Sequence, residues 1–382
     1  MTQTTAPDGK LSSILSQFSI KGGVAQVVPH GSGHIHDTYH VVNSQPGSPD
    51  YLLQRVNHHV FKNVPALMDN IQVVTTHLRQ KLESMPAAQP EKEVLTLIPT
   101  IQQQWFYQDE EGNYWRMYYF LEDTLGYDMV TTPSQAYEGG KAFGKFQALL
   151  ADLPADLLHD TIPDFHNVVN RLRLFRETVK ADPVGRVGEV GPEIAFVEER
   201  AQAMSTIYHM GQSGELPLRI THNDTKFNNV LLDKDGKAQC VIDLDTVMPG
   251  YVAYDFGDAI RTTVNTAPED EPQLEKIQVN LSLFEAFAKG FLEETSSALT
   301  DQEVASLLHG VLLLPFIMGL RFLTDYLDGD HYYKIHFPAH NLQRCRAQFQ
   351  LVKQLEAQQS SLQAILEKVV QETRLAEITT KA

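Results

Sequence analysis

Two short stretches hold the residue types that phosphoryl transfer needs. Leu218-Arg-Ile-Thr-His222-Asn-Asp224-Thr-Lys226-Phe-Asn-Asn229 sets a polar loop after an apolar run, and Gln239-Cys-Val-Ile-Asp243-Leu-Asp245 then ends a strand-like run in carboxylates. Moving a phosphoryl group requires an oriented hydroxyl that can lose its proton, and positive charge to neutralise the group in transit. Asp224 suits the first task. Asn229 offers a neutral oxygen and Asp243 a carboxylate, the hard ligands that Mg²⁺ prefers. Lys226 reads either as a cation facing the transferring group or as a solvated surface lysine. His222 reads as a buttress of the loop rather than an acid–base group, and Asp245 and Asp255 read as carboxylates supporting the site. Turn capping by Asp and Asn is the plainer explanation for single residues. It does not account for H-x-D-x-x-x-x-N followed by I-D-x-D.

The elements that must carry these residues can be read from periodicity. A chain of 382 residues is long enough for two lobes with separate cores. Alternating or apolar runs at 24–28, 36–42 and 51–57 predict strands, 64–82 has helical spacing, and 94–98, 105–109 and 114–120 predict further strands. From Ser134, taken as an N-cap, the pattern turns helical as far as Pro154. Helices are predicted at 168–179, 192–209, 274–292, 301–323 and 341–376, with short strands flanking the polar loop. The expected class is α+β and two-lobed. Residues 1–122 form an antiparallel sheet with an inserted helix, and residues 123–382 a larger, mainly helical lobe with the loop.

Composition narrows the partners. A formal charge of -17 repels nucleic acid at long range, while a small anionic nucleotide needs only local cations. Two cysteines, Cys240 and Cys345, rule out a disulfide framework and suit a reducing cytoplasm. The N-terminus lacks the pattern of a signal peptide. The longest apolar run, 311–320, contains Pro315 and is about half of the roughly 20 residues that span a bilayer. It reads as a buried helix, so no membrane and no obligatory protein partner are expected.

The pair HNDTKFNN (222–229) and VIDLD (241–245) resembles the aminoglycoside-phosphotransferase superfamily, whose members have a protein-kinase-like fold. More narrowly, the chain resembles the bacterial N-acetylhexosamine 1-kinases through GSGHIHDTYHV, YLLQRVN, GGKAFGKFQALLADL, TIPDFHN, VIDLDTVMPG, DFGDAIR and RFLTDYLDGDHYYKI, over roughly residues 20–350. The resemblance implies ATP and Mg²⁺, with Asp224 as the base touching a sugar hydroxyl and Asn229 and Asp243 holding the metal. It implies an N-acetylglucosamine or N-acetylgalactosamine acceptor phosphorylated at its anomeric hydroxyl. The other readings are a kinase of another small alcohol, such as choline, homoserine or an aminoglycoside, and a non-catalytic nucleotide-binding protein.

The same resemblance suggests where nucleotide and acceptor would lie. Gly31 and Gly33 could cover phosphates, although G-x-G is also ordinary turn chemistry. The strand at 51–57 carries Gln54 and Arg55 where kinases place a lysine. Arg55 is the expected phosphate cation, Gln54 the alternative facing residue, and Asp69 the acidic partner. Phe120 and Glu122, at the end of the last strand, fall where a hinge would meet adenine. His34, Arg321 and Tyr332 are the implied sugar contacts. Thr262 and Thr263 follow Arg261 where those kinases carry an aromatic.

Overall fold

A computed structural model describes residues 9–31 and 35–381. The upper lobe runs α1 (Gly9–Leu15), β1 (Val24–Pro29), β2 (Asp37–Asn43), β3 (Tyr51–Val56), α2 (Val64–Glu83), the single turn α3 (Pro90–Glu93), β4 (Tyr107–Gln108) and β5 (Tyr114–Tyr119). The strands form one antiparallel sheet in the order β1-β2-β3-β5-β4. Alternation along β3 sends Tyr51 and Leu53 to a core shared with Ile14, Leu15 and Phe18 of the α1 region. Leu52 and Val56 go to the opposite core, with Leu67, Ile71 and Val74 of α2. Residues 94–98 form no strand of their own. They meet β5 through a single bridge between Leu97 and Tyr118.

The lower lobe runs α4 (Pro133–Leu150), α5 (Val168–Ala181), α6 (Gly191–Met204), α7 (Thr206–Gln212), β6 (Arg219–Thr221), β7 (Val230–Leu232), β8 (Ala238–Val241) and β9 (Met248–Gly250). It continues through α8 (Val252–Thr263), α9 (Leu281–Thr295), α10 (Asp301–Asp328), α11 (His340–Ala357) and α12 (Gln359–Lys381). The cap of α4 is Thr132, not Ser134: its hydroxyl accepts from Gln135 N–H at 3.2 Å, and the Gln135 side chain returns to the Thr132 N–H. The helix expected at 192–209 is divided at Ser205, and the one at 341–376 at Gln358.

Two glycine contacts bring helices together closely enough to position the site. A Cβ on Gly257 of α8 would lie 2.2 Å from the Gly310 carbonyl oxygen of α10, and one on Gly140 of α4 would lie 2.1 Å from the Phe287 carbonyl oxygen of α9. The backbones therefore touch, which only glycine permits. Among the described residues α10 alone is long and apolar enough to cross a membrane, but most of it is buried in the lower lobe. Its Leu313, Leu314, Phe316, Ile317 and Leu320 belong to the core shared with α5, α6 and α11.

Candidate active site

The polar loop lies between β6 and β7, and Asp243 stands just past β8. One buried carboxylate ties the loop down. Asp255, on α8, accepts the N–H groups of His222 (2.8 Å) and Asn223 (2.7 Å) and the Gln147 amide (2.6 Å). His222 connects the two stretches: its Nε2–H donates to the Ile242 carbonyl at 2.9 Å, and its Nδ1 accepts from Asp224 N–H at 3.3 Å. Ile242 N–H also donates to the Asn229 carbonyl at 2.9 Å. Residues five and nineteen places from Asp224 thus share one site, with Asn229 Nδ2 donating to the Asp224 carbonyl (2.8 Å) and to its Oδ2 (3.2 Å). Lys226 Nζ stands 3.2 Å from the same Oδ2.

Charge is unevenly settled here. Burial works against ionising Asp224, but Lys226 and its neighbours outweigh that and hold the carboxyl below its ordinary range. The Asp224 charge in turn holds Lys226 well above the usual lysine range. Asp243 is shifted the other way, raised by desolvation and then by Asp245 and Asp224. Burial pushes Asp255 up to about 6 despite its hydrogen bonds. Asn223 and Asp243 both adopt left-handed backbone, with φ of 63° and 58°. Short polar side chains tolerate that conformation, though at some cost.

The donor set fits a divalent cation. Both Asn229 side-chain bonds use Nδ2, which leaves Oδ1 for another partner. Asp243 opens to the cleft with no hydrogen bond to its carboxylate among the described residues, and repulsion from neighbouring carboxylates is what a cation would relieve. Ligand atoms of His36, Asp243 and Asp245 lie within 4.8 Å of one another. Two of those three are already engaged. Asp245 takes both terminal nitrogens of Arg116 and the Nε2–H of His36. His36 Nδ1 accepts Asn57 N–H at 3.0 Å, so the ring proton sits on Nε2. Asn229 Oδ1 and Asp243 remain as the available ligands.

At the end of the cleft expected to hold the nucleotide, one expectation is overturned. Arg55 is not in the cleft. It shares the parity of Tyr51 and Leu53, lies exposed on the α1 side of the sheet and pairs with Asp37, Nε to Oδ2 at 2.6 Å. Gln54 faces the cleft instead and accepts from Arg116 Nε at 2.9 Å. Asp69 is exposed. The inward polar residue of α2 is its neighbour Asn70, which donates to the Val247 carbonyl at 3.0 Å and the His159 carbonyl at 2.8 Å. Gly31 has a φ of 78°, whereas Gly33 and His34 lie outside the described residues. Phe120 stacks on His40 with ring centroids 4.0 Å apart, and His30 meets it edge-on at 5.2 Å. Glu122 is exposed beside it, and both border a cavity of about 730 Å³ that also reaches Pro49 and Asp233.

At the opposite end Arg321 and Tyr332 do come together, with Nη2 to Oη at 3.4 Å. The Arg321 guanidinium also lies 5.2 Å from the Phe165 ring and 5.5 Å from that of Tyr333. Asp325 shapes this wall as Asp255 shapes the loop, accepting Tyr332 N–H (2.8 Å), Tyr333 N–H (2.9 Å) and the Asn341 amide (2.8 Å). A cavity of about 160 Å³ is lined by Arg171, Leu320, Arg321, Thr324, Tyr332 and Tyr333. Burial and the nearby Arg321 bring Arg171 down to about 10. His166 donates from Nε2 to the Asn223 carbonyl at 3.0 Å, and burial pushes it down to about 4.

Sequence reasoning missed Arg116, His36, Arg171 and His166. Arg116 left one signal: a lone charge in the strand Tyr114-Trp-Arg-Met-Tyr-Tyr119, where a buried cation must have a buried partner.

Residues 26–291 match the phosphotransferase enzyme family, and the chain belongs to it. Solved structures share the fold. A microcompartment-associated aminopropanol kinase is 16% identical with a TM-score of 0.64, the match covering 93% of this chain and 98% of that one. An aminoglycoside phosphotransferase from Alicyclobacillus acidocaldarius is 13% identical, TM-score 0.58, with 98% of each chain covered. A choline kinase from Cryptosporidium parvum Iowa II is 17% identical, TM-score 0.56, covering 87% of this chain and 90% of that one. The protein is an ATP-dependent small-molecule kinase of this family.

Proposed function

We propose that the acceptor is a neutral polyhydroxylated compound, with an N-acetylhexosamine phosphorylated at its anomeric hydroxyl as the first candidate. The supporting observation is the cavity in which Arg171 and Arg321 stand together with Tyr332 and Tyr333. Two adjacent guanidiniums repel a cationic alcohol and supply fixed donors to hydroxyl or acetamido oxygens.

In this reading Asp224 aligns the attacking hydroxyl and accepts its proton as the new O–P bond forms and the bond to ADP breaks. Its depressed pKa keeps it charged and ready to orient the hydroxyl. Lys226 offsets charge on the phosphoryl oxygens, and Asn229 Oδ1 and Asp243 hold Mg²⁺. When bound, that ion neutralises the phosphates. Asp255 and His222 keep the loop rigid, so little reorganisation is left for the reaction. Phe120, Glu122 and Gly31 are assigned to the nucleotide side, with residues 1–122 covering it. A cytoplasmic setting is part of the proposal, supported by Cys240 and Cys345, both buried and unpaired.

A second reading, a kinase of another small alcohol, has its own support. Phe165, Tyr332 and Tyr333 form an aromatic wall of the kind that receives ammonium groups, and the fold is shared with proteins described as aminopropanol and choline kinases. ADP release measured against N-acetylglucosamine, N-acetylgalactosamine, choline, aminopropanol and an aminoglycoside separates the two. Turnover of a hexosamine, with phosphorus NMR placing the ester at C1, supports the first reading. Turnover of the cationic alcohols alone would replace it with the second.

A further inference from the structure

The kinase reading leaves one conspicuous group without a task. Arg116 is only 2% exposed, yet it is a full charge on a sheet strand, β5, between β3 and β4. All three of its nitrogens are used: Nε donates to Gln54 Oε1 at 2.9 Å, Nη1 to Asp245 Oδ1, and Nη2 to Asp245 Oδ2 at 2.9 Å. Asp245 also receives the His36 Nε2–H, and its carbonyl accepts from Thr161 Oγ1 at 3.0 Å. Arg116, Gln54 and His36 belong to the upper lobe and Asp245 to the lower. The cluster is therefore a buried bolt across the cleft.

The far end of that bolt is the turn that presents Asp243. Asp243 starts a short 3₁₀ turn, Leu244–Thr246, from a left-handed φ of 58°. At Thr246 the turn is tied to the catalytic loop, with Oγ1 donating to the His222 carbonyl at 2.7 Å and its own carbonyl accepting from Asn223 Nδ2 at 3.0 Å. At Asp245 it is tied to Arg116. We propose that the Arg116–Asp245 pair is an inter-lobe latch that positions Asp243 for its cation, and that Arg116 is a positioning residue rather than a ligand of the nucleotide phosphates. Swinging Arg116 toward a phosphate would break a two-pronged buried pair and leave Asp245 beside Asp243 without its counter-charge. That is the costly way to treat a buried ion pair. The proposal rests on the assignment of Asp243 as a metal ligand.

The two roles separate when nucleotide binding is measured with and without the metal. Calorimetry of ATP with EDTA, and of ATP with increasing Mg²⁺, is run on the wild type and on Arg116→Met/Asp245→Asn, which removes both charges together and leaves neither ion unpaired. Metal-free ATP binds the double variant about as well as the wild type. The Mg²⁺ concentration for half-maximal enhancement rises about 10-fold to 100-fold, the loss usual when a group that orients a metal ligand is removed. Hydrogen exchange at 243–246 without any ligand speeds up in parallel. Arg116→Lys keeps the charge but loses the fork, and shows the same pattern more weakly should the double variant fold poorly. An equal loss of metal-free and Mg²⁺-dependent binding would overturn the proposal in favour of a phosphate contact. Unchanged Mg²⁺ dependence would overturn it outright. A wild type that binds no nucleotide in either condition would sink the kinase reading, and the latch with it.

Discussion

At the scale of single residues, the carboxylates of the site are told apart by what each one touches. Asp224 has a lysine at 3.2 Å and stays charged, Asp255 is consumed by backbone donors, and Asp243 has neither. Asp224→Asn is expected to cut turnover by about 10² to 10⁴, the usual worth of a positioned base. The ATP dissociation constant should stay near wild type, and retained turnover would show that the base is elsewhere. His166 gives a prediction about stability. Its folded pKa of about 4 lies below the ordinary 6.5, so between those values the unfolded chain binds the extra proton. Stability contributed by the neutral ring is therefore complete above pH 6.5 and is lost as pH falls toward 4, by about 3 kcal/mol at most. Urea unfolding at pH 7 and pH 4.5 should show a smaller acid loss in His166→Gln than in the wild type. Equal losses would mean that another group carries the acid sensitivity.

At the scale of elements, the site depends on helices brought close by glycine and on segments tied by aspartate. Gly257 and Gly310 let α8 lie against α10, and α8 is what delivers Asp255 to the loop. A valine at 310 has no room, since a Cβ there would meet the Ala253 carbonyl oxygen at 1.9 Å. Gly310→Val should lose about 1–3 kcal/mol or more in chemical denaturation. Asp325 acts on the wall proposed for the acceptor through the backbone N–H groups of Tyr332 and Tyr333 and through Asn341. Asp325→Asn should raise the acceptor KM about tenfold, in keeping with roughly 1.5–3 kcal/mol for a hydrogen bond to a charged group. The KM for ATP should barely move, and a matching rise there would point to general damage instead. Boundaries are legible where a cap or turn is local, yet residue type alone points to Ser134 for the α4 start, because serine is at least as good a cap as threonine. Thr132 holds the position because Gln135 stands at N3, where its side chain returns to the cap N–H, and Pro133 stands at the first helical position, where no N–H is needed.

At the scale of the whole molecule, the proposed nucleotide site draws on both lobes, so binding should stabilise the chain as a unit. MgATP at about 100 times its Kd should add about 2.7 kcal/mol to the unfolding free energy. Asn229→Ala and Asp243→Ala should each lose most of that gain while unfolding near wild type without nucleotide. A full MgATP shift in either variant would remove that residue from the metal site. The formal charge of -17 fits a partner held by a few local cations rather than by the average field.

By itself the sequence determined the reaction class, because the catalytic loop is contiguous and its residue types and spacing are fixed locally. It also determined the two-lobed α+β plan, through the switch from alternating to helical periodicity. It did not determine which of Gln54 and Arg55 faces the cleft, since a strand offers two faces and both carry apolar residues here, Tyr51 and Leu53 on one and Leu52 and Val56 on the other. Nor did it reveal that Arg116 finds Asp245 129 residues away. A buried charge demands a partner, but only the tertiary structure decides which distant residue answers, because that choice is made by the packing of one lobe on the other.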